Sequence, residues 1–145
     1  MQRRDFIKST CTACLGVIGA GSLLSALQSC APLPLLKGET ENGVMTVPLS
    51  TLPAGQNLAI VRTSKMDHDI LLVKKTDGSY NALYMQCTHQ NQPLNASKSG
   101  LFCSAHGSSF NLDGQVTQEP ATAPLRKFKT EASADSVKIY LSQNP

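Results

Sequence analysis

The sequence predicts an all-β domain built from short antiparallel strands. Several short runs are rich in apolar and β-branched residues, and turn residues such as those at 76–79 and 112–115 separate them. Outside the first thirty residues, no run keeps a helical period over about three turns. The predicted strand segments are GVMTVPLSTL, NLAIVRT, DILLVKK, YNALYMQ, GLFCSA and SVKIYLS.

Length and charge limit what this chain does. Its 145 residues suit one domain plus a separate N-terminal segment. The net charge is +3, of which Arg3, Arg4 and Lys8 against Asp5 supply +2. The remainder is nearly neutral, so a nucleic-acid surface, which needs a clustered basic face, is not expected. No sequence pattern of a hydrolase triad, a phosphate-binding loop or a dinucleotide fold is present.

Residues 1–30 have the pattern of an export signal rather than of a folded element. Arg3 and Arg4 precede a mildly apolar run from Thr12 to Leu27. This run is shorter than the about 20 residues of a bilayer span, and glycines and serines dilute it. The paired arginines resemble a twin-arginine signal, which exports folded proteins. The alternative is a basic start that happens to precede a weak anchor helix.

A cysteine at the end of this segment suggests how the protein is attached to a membrane. Leu27-Gln28-Ser29-Cys30 resembles a lipoprotein box, although Gln28 is larger than the residue usual there. Lipidation of Cys30 would hold the protein firmly on a membrane. The competing interpretation is an uncleaved anchor helix. We therefore expect an exported, periplasmic lipoprotein with a tether at 31–43 and a folded domain at 44–145.

The remaining cysteines are paired with histidines. Of five cysteines, only Cys87 and Cys103 lie in the main domain, and His89 and His106 are two of only three histidines. A disulfide between the cysteines would suit an exported protein but would not explain the histidines. Zinc usually takes Cys-Cys and His-His pairs, whereas each loop here is mixed. A [2Fe-2S] cluster with two Cys and two His ligands fits mixed loops directly.

The two loops resemble those of the Rieske [2Fe-2S] family, and the resemblance extends from about Val44 to Ser142. The family pattern appears as CTHQ and as CSAHGSSF. The segment PATAPLRKF resembles the loop that covers the cluster and supplies Pro120 and Pro124. The resemblance implies one cluster per chain, held by two loops at one end of the fold. The buried iron would be bound by Cys87 and Cys103, and the outer iron by His89 and His106.

Four further positions bear on the properties of this cluster. Respiratory members of the family carry a disulfide where this sequence has Gln92 and Ala105. In this respect the chain resembles Rieske ferredoxins and arsenite oxidase small subunits. Ser108 resembles the serine that donates to a bridging sulfide. Phe110 occupies the position of a tyrosine that donates to a ligand sulfur in high-potential members, so we expect a lower potential here.

The resemblance implies transfer of one electron at a time. Two imidazoles in place of two thiolates reduce the negative charge, and Rieske potentials of about −150 to +300 mV exceed the roughly −400 mV of plant-type ferredoxins. We expect a membrane-tethered carrier between a quinol pool or redox enzyme and a cytochrome-like acceptor. The alternatives are a small subunit of an exported oxidoreductase of the arsenite oxidase type and a zinc-binding structural module. No catalytic residue is expected, because the chain is an electron-transfer protein or an oxidoreductase subunit rather than a stand-alone enzyme.

Overall fold

The computed structural model describes residues 32–142. From Leu33 onward the chain belongs to one compact unit. The predictions for Arg3, Arg4 and Cys30 lie outside the described residues. Within residues 32–142, no helix is long and apolar enough to cross a membrane.

The described residues form β-strands arranged in two sheets, together with a single turn of 3-10 helix at Leu49–Thr51. The strands are β1 (Leu35–Lys37), β2 (Glu39–Glu41), β3 (Val44–Pro48), β4 (Leu58–Arg62), β5 (Ile70–Lys74), β6 (Tyr80–Tyr84), β7 (Asn95–Ser97), β8 (Gly100–Phe102), β9 (Ser109–Phe110), β10 (Val116–Gln118), β11 (Lys127–Ala132) and β12 (Ser136–Tyr140). The all-β prediction is confirmed.

The larger sheet has eight strands in the order β1-β4-β5-β6-β11-β12-β3-β2. Its first and last strands are consecutive in the chain and are separated by Gly38 alone. Because one residue joins the two end strands, these strands must lie close together. The sheet is therefore curled into a barrel. The pairs are antiparallel as predicted, except that β1 runs parallel to β4.

The segment predicted to be a tether is largely part of this barrel. Strands β1 and β2 lie within residues 31–43, and Leu36, the middle residue of β1, is only 6% exposed. Its side chain packs in the same apolar cluster as Met45 and Val61. The folded unit therefore begins at Leu33 rather than at Val44. Burial of one leucine and pairing with a distant strand leave little local signal, so the sequence alone did not indicate that residues 33–43 contribute strands.

Two apolar cores share the strands of the barrel. Along β5, Ile70 and Leu72 belong to one core, while Leu71 and Val73 belong to the other. Side chains alternate across a strand, so the first core fills the barrel and the second covers its outer face. This double coverage explains the uninterrupted apolar run of β5. The second core also contains Cys87 and Cys103, so it connects the barrel to the candidate site.

The smaller sheet has the strand order β10-β9-β8-β7. Gly100 begins β8 with a φ of +154° and lies against the backbone of Phe110, so any side chain there would collide with the Phe110 carbonyl oxygen. A glycine at this position lets β8 and β9 approach closely. This pairing places the second Cys/His loop, which connects β8 to β9, at the end of the sheet.

Candidate metal centre

The first candidate loop covers residues 87–92 and follows β6. Cys87 donates its backbone N–H to the Gln92 carbonyl at 2.7 Å, and its own carbonyl accepts the N–H of Asn91 at 2.8 Å. Asn91 has a φ of +54°, in the left-handed region that asparagine tolerates better than most residues. These two hydrogen bonds connect the end of the loop to the backbone of Cys87 at its start. His89 therefore lies at the tip of a turn whose base is fixed.

The second loop, residues 103–108, repeats this arrangement. The Cys103 N–H donates to the Ser108 carbonyl at 2.8 Å, and the Cys103 carbonyl accepts the Gly107 N–H at 2.9 Å. Gly107, with a φ of +85°, holds the same place in its loop as Asn91 in the first. The two loops thus share the same backbone bonds at the cysteine, while the histidine follows two residues later in the first loop and three residues later in the second. Similar ligand loops facing each other suit a centre with two metal ions.

The two cysteines lie side by side in the protein interior. Each is 1% exposed, and they are not joined in a disulfide. Burial raises the pKa of the Cys103 thiol. Hydrogen bonds from the backbone N–H groups of His106 and Ala105, and one with Cys87, outweigh burial and bring this pKa below its ordinary value. The same backbone N–H groups would stabilise a metal-bound thiolate.

The two histidines lie together at the surface. Their ring centroids are 5.1 Å apart, and the ring planes are nearly perpendicular, at 88°. A metal ion about 2 Å from one nitrogen of each ring, with a tetrahedral angle between the ligands, places the centroids roughly 5 Å apart. Both rings are exposed to solvent, whereas both thiols are buried. The spacing of His89 and His106 therefore suits two ligands of one outer metal ion.

The four donors divide into two pairs rather than forming one cage. Within the part of the chain that the structure describes, no three or more His, Cys, Asp or Glu residues gather around a single point. A binuclear cluster requires only two protein ligands on each iron, and here the sulfur pair is buried while the nitrogen pair is exposed. This donor arrangement fits a histidine-ligated [2Fe-2S] cluster.

The predicted covering loop is tied to both ligand loops. The Ser108 hydroxyl oxygen accepts the backbone N–H of Ala121 at 3.0 Å, and both residues are almost fully buried. From the first loop, the Thr88 hydroxyl donates to the Ala123 carbonyl at 2.7 Å. Because Ser108 acts here as the acceptor, its hydrogen remains free for another acceptor. The role of Thr88 was not predicted from the sequence. The only available signal was its position between Cys87 and His89.

The prolines of the covering loop play a smaller part in its packing than its apolar residues do. Pro120 and Pro124 are exposed, while Ala121 and Leu125 are 1% and 3% exposed and lie in the second core. Phe110, at 2% exposed, lies in that core with the two cysteines.

The positions that would carry a disulfide in respiratory relatives hold Gln92 and Ala105, and both are exposed. In their absence, the hydrogen bonds of Ser108 and Thr88 connect the covering loop to the two ligand loops.

An all-β fold with paired cysteine and histidine loops defines a small iron–sulfur electron carrier. The chain belongs to the Rieske [2Fe-2S] domain family, whose sequence profile matches residues 42–129. Its cofactor is a [2Fe-2S] cluster, and its role is electron transfer. Membership in this family excludes the alternative that the chain is a zinc-binding structural module.

Individual relatives are distant in sequence. A cytochrome b6-f complex iron-sulfur subunit from Chlorobaculum thiosulfatiphilum is 23% identical over 140 residues, which cover 95% of this chain and 75% of that protein. The cyanobacterial plasma membrane Rieske protein PetC3 from Synechocystis PCC 6803 is similar in structure, with a TM-score of 0.50 and 24% identity, over 57% of this chain and 85% of that one. A chain from the complex of reduced oxygenase and oxidized ferredoxin in carbazole 1,9a-dioxygenase gives a TM-score of 0.54 at 19% identity, over 72% of this chain and 99% of that one. The two solved structures support the fold.

Proposed function

We propose that this protein is exported, is held on the periplasmic side of a membrane, and passes single electrons from a quinol pool or a membrane redox enzyme to a cytochrome-like acceptor. The observation that carries the proposal is the pair of exposed imidazoles above a pair of buried thiols. Electrons that enter or leave through His89 and His106 need no opening of the protein. The bound cluster supplies the one-electron redox chemistry.

The residues around the ligands divide the remaining tasks. Burial of Cys87 and Cys103 keeps water from the sulfur side of the centre. Ser108 holds the covering loop through Ala121 and has a hydroxyl hydrogen left to donate towards a sulfur. A donated hydrogen bond stabilises added negative charge and so favours the reduced state. Phe110 cannot donate such a bond, which favours a potential below the top of the family range.

Membrane attachment and partners are supported by sequence patterns and by a relative. Arg3 and Arg4 match a twin-arginine signal, and Cys30 has the context of a lipidation site. The relative from Chlorobaculum thiosulfatiphilum is a subunit of a cytochrome b6-f complex. Together these features favour a membrane redox partner and a cytochrome acceptor for this chain.

A second function remains in view because of one feature of the loops. Gln92 and Ala105 replace the disulfide cysteines of respiratory members, as in arsenite oxidase small subunits. The alternative is therefore a small electron-transfer subunit of an exported oxidoreductase. Isolation from native membranes under mild conditions distinguishes the two. The main proposal expects rapid reduction by a quinol in the presence of the membrane complex, and the alternative expects a stable large subunit that reacts with its own substrate.

The ligand assignment is tested by replacing histidines one at a time. We expect His89→Ala and His106→Ala to abolish the electron paramagnetic resonance signal with low average g that histidine-ligated clusters show on reduction. His68→Ala is the matched control, because it removes a histidine that is not a candidate ligand. The His68 ring is half-buried and packs edge-to-face against Tyr84, with ring centroids 5.6 Å apart. The assignment would be contradicted if the His68→Ala protein, which keeps all four candidate ligands, bound zinc, lacked acid-labile sulfide and gave no such signal.

The attachment is tested by two further sets of variants. Arg3→Lys combined with Arg4→Lys should leave the folded holoprotein in the cytoplasm, because the exporter recognises the paired arginines. Cys30→Ala should release an otherwise normal protein from the membrane. A Cys30→Ala protein that remains in the membrane at high salt would show that a retained helix, rather than a lipid, is the anchor.

A further inference from the structure

A groove on the outside of the barrel has no role in the site described above. It has a volume of about 660 Å³ and lies around Gly38, where the chain passes from β1 to β2. Its lining includes Leu35 and Lys37 from β1, Glu39 from β2, and Lys65 from the segment after β4. The hydroxyls of Thr40 and Thr63, 3.1 Å apart, connect the two sides of the groove.

One wall of this groove is an exposed apolar side chain beside a lysine. Along β1, Leu36 points into the barrel core, so Leu35 and Lys37 point outward. Leu35 is 53% exposed, and among the described residues Phe102 is the other large hydrophobic side chain with comparable exposure. An apolar residue beside a lysine is the combination found where proteins meet the boundary of a lipid layer.

The charges of the groove favour an anionic ligand. Arg62 also lines it, but its guanidinium is paired with the Asp69 carboxylate through contacts of 2.9 and 2.7 Å. No ion pair involves Lys37 or Lys65 within residues 32–142. Glu39 is the acidic residue in the lining. Two available ammonium groups against one carboxylate leave an excess of positive charge.

We propose that this face, defined by Leu35, Lys37 and Lys65, rests on the membrane, with the lysines against phospholipid phosphates and Leu35 in the interface. The proposal rests on the membrane attachment proposed above. Leu33 is half-buried against the second core and lies three residues after Cys30, a distance of at most about 11 Å. A lipid on Cys30 therefore cannot hold this end of β1 far from the bilayer.

Arg62 lines both this groove and a second one. The lining of that second groove consists of Arg62, Asp67, His68, Asp69, Met85, Pro93 and Leu94. Pro93 directly follows the first candidate loop, but Asp67 and Asp69 make this second groove unsuited to anionic lipid, so the proposed membrane face ends at Arg62.

The test measures how fast individual lysines react with an amine-acylating reagent. The full-length holoprotein is compared in detergent and on vesicles of phosphatidylglycerol and phosphatidylcholine, lipids that carry no reactive amine. We expect Lys37 and Lys65 to react at least about fivefold more slowly on vesicles, the factor that corresponds to about 1 kcal/mol per lysine at an anionic surface. Lys98 and Lys138 are exposed lysines outside the groove and should react equally in both states.

The possible outcomes distinguish a failure of the proposed membrane face from a failure of the proposed membrane attachment. Equal reactivity of Lys37 and Lys65 in a protein that stays on the vesicles would overturn the membrane face and leave the anchor intact. A holoprotein that stays in solution would overturn both proposals. Protection found in native membranes but not on protein-free vesicles would show that a protein partner covers the face, and would also overturn the proposal.

A substitution at Leu35 adds a second reading. Leu35→Glu should return the reactivity of Lys37 and Lys65 on vesicles to the level seen in detergent, because a carboxylate is repelled by anionic lipid. Since Leu35 is exposed, the visible spectrum of the cluster should not change. Leu35→Gln is the uncharged control and should give an intermediate reactivity. Full protection in Leu35→Glu would refute a role for this side chain in membrane contact.

Discussion

Replacement of Leu36 by alanine tests whether residues 33–43 are part of the fold. Leu36 is 6% exposed and packs with Met45, Val61 and other residues of the barrel core. Leu→Ala in a core costs about 2–5 kcal/mol, and a position at the junction of the first and last strands should fall near the lower end, at about 2.5 kcal/mol. For a domain of this size, each kcal/mol lowers the unfolding midpoint by about 4 °C, so we expect a decrease of about 10 °C.

The neighbouring residue is the matched control. Leu35→Ala removes the same type of side chain from the same strand. Because Leu35 is 53% exposed, the change in the free energy of unfolding should stay within about 0.5 kcal/mol. Both variants are measured as holoproteins at one scan rate, by far-ultraviolet circular dichroism and by loss of the visible absorption of the cluster. Equal midpoints for the two variants would refute a structural role for β1 and would support a flexible tether.

Three further substitutions test the surroundings of the cluster. Ser108→Ala leaves the buried N–H of Ala121 without its acceptor, which should cost about 1–3 kcal/mol and also lower the reduction potential, whereas Ser109→Ala should do neither. Thr88→Val removes the bond to the Ala123 carbonyl and should accelerate cluster loss to a chelator several-fold, as absorbance decay would show; an unchanged rate would mean that this bond does not hold the covering loop closed. Phe110→Tyr should raise the potential in a redox titration, and a constant value would mean that the new hydroxyl does not reach a sulfur.

The parts of the fold that could be predicted from sequence are those with a strong local pattern. Strand β5 appeared as an apolar run between turn residues, and its burial on both faces explains why the run has no alternation. The candidate ligand loops stood out in the sequence because a cysteine and a histidine lie within three residues of each other in both. Each of these signals is contained in a few consecutive residues.

Most of the features that escaped prediction depend on contacts between distant residues. Strands β1 and β2 are three residues long and follow a proline-rich stretch, so their strand character comes from pairing with β4 and β3. The bond from Thr88 to Ala123 joins residues 35 positions apart. The groove around Gly38 exists only once the barrel has closed. Of these features, only the β2–β3 hairpin has a local signature, the Asn42-Gly43 turn, in which both residues have a positive φ.

Closure of the barrel through Gly38 has a consequence for how safely the protein folds. Strands β1 and β2 occupy the hydrogen-bonding edges of β4 and β3, so the large sheet offers no long free edge to another chain. Among residues 32–142, the strands at the sheet ends are β1 and β2 in the large sheet and β7 and β10 in the small one, and each is three residues long. A shortened chain that begins at Val44 would uncover both edges of the barrel at once. We expect such a chain to aggregate by edge-to-edge strand pairing even if its ligand loops are intact.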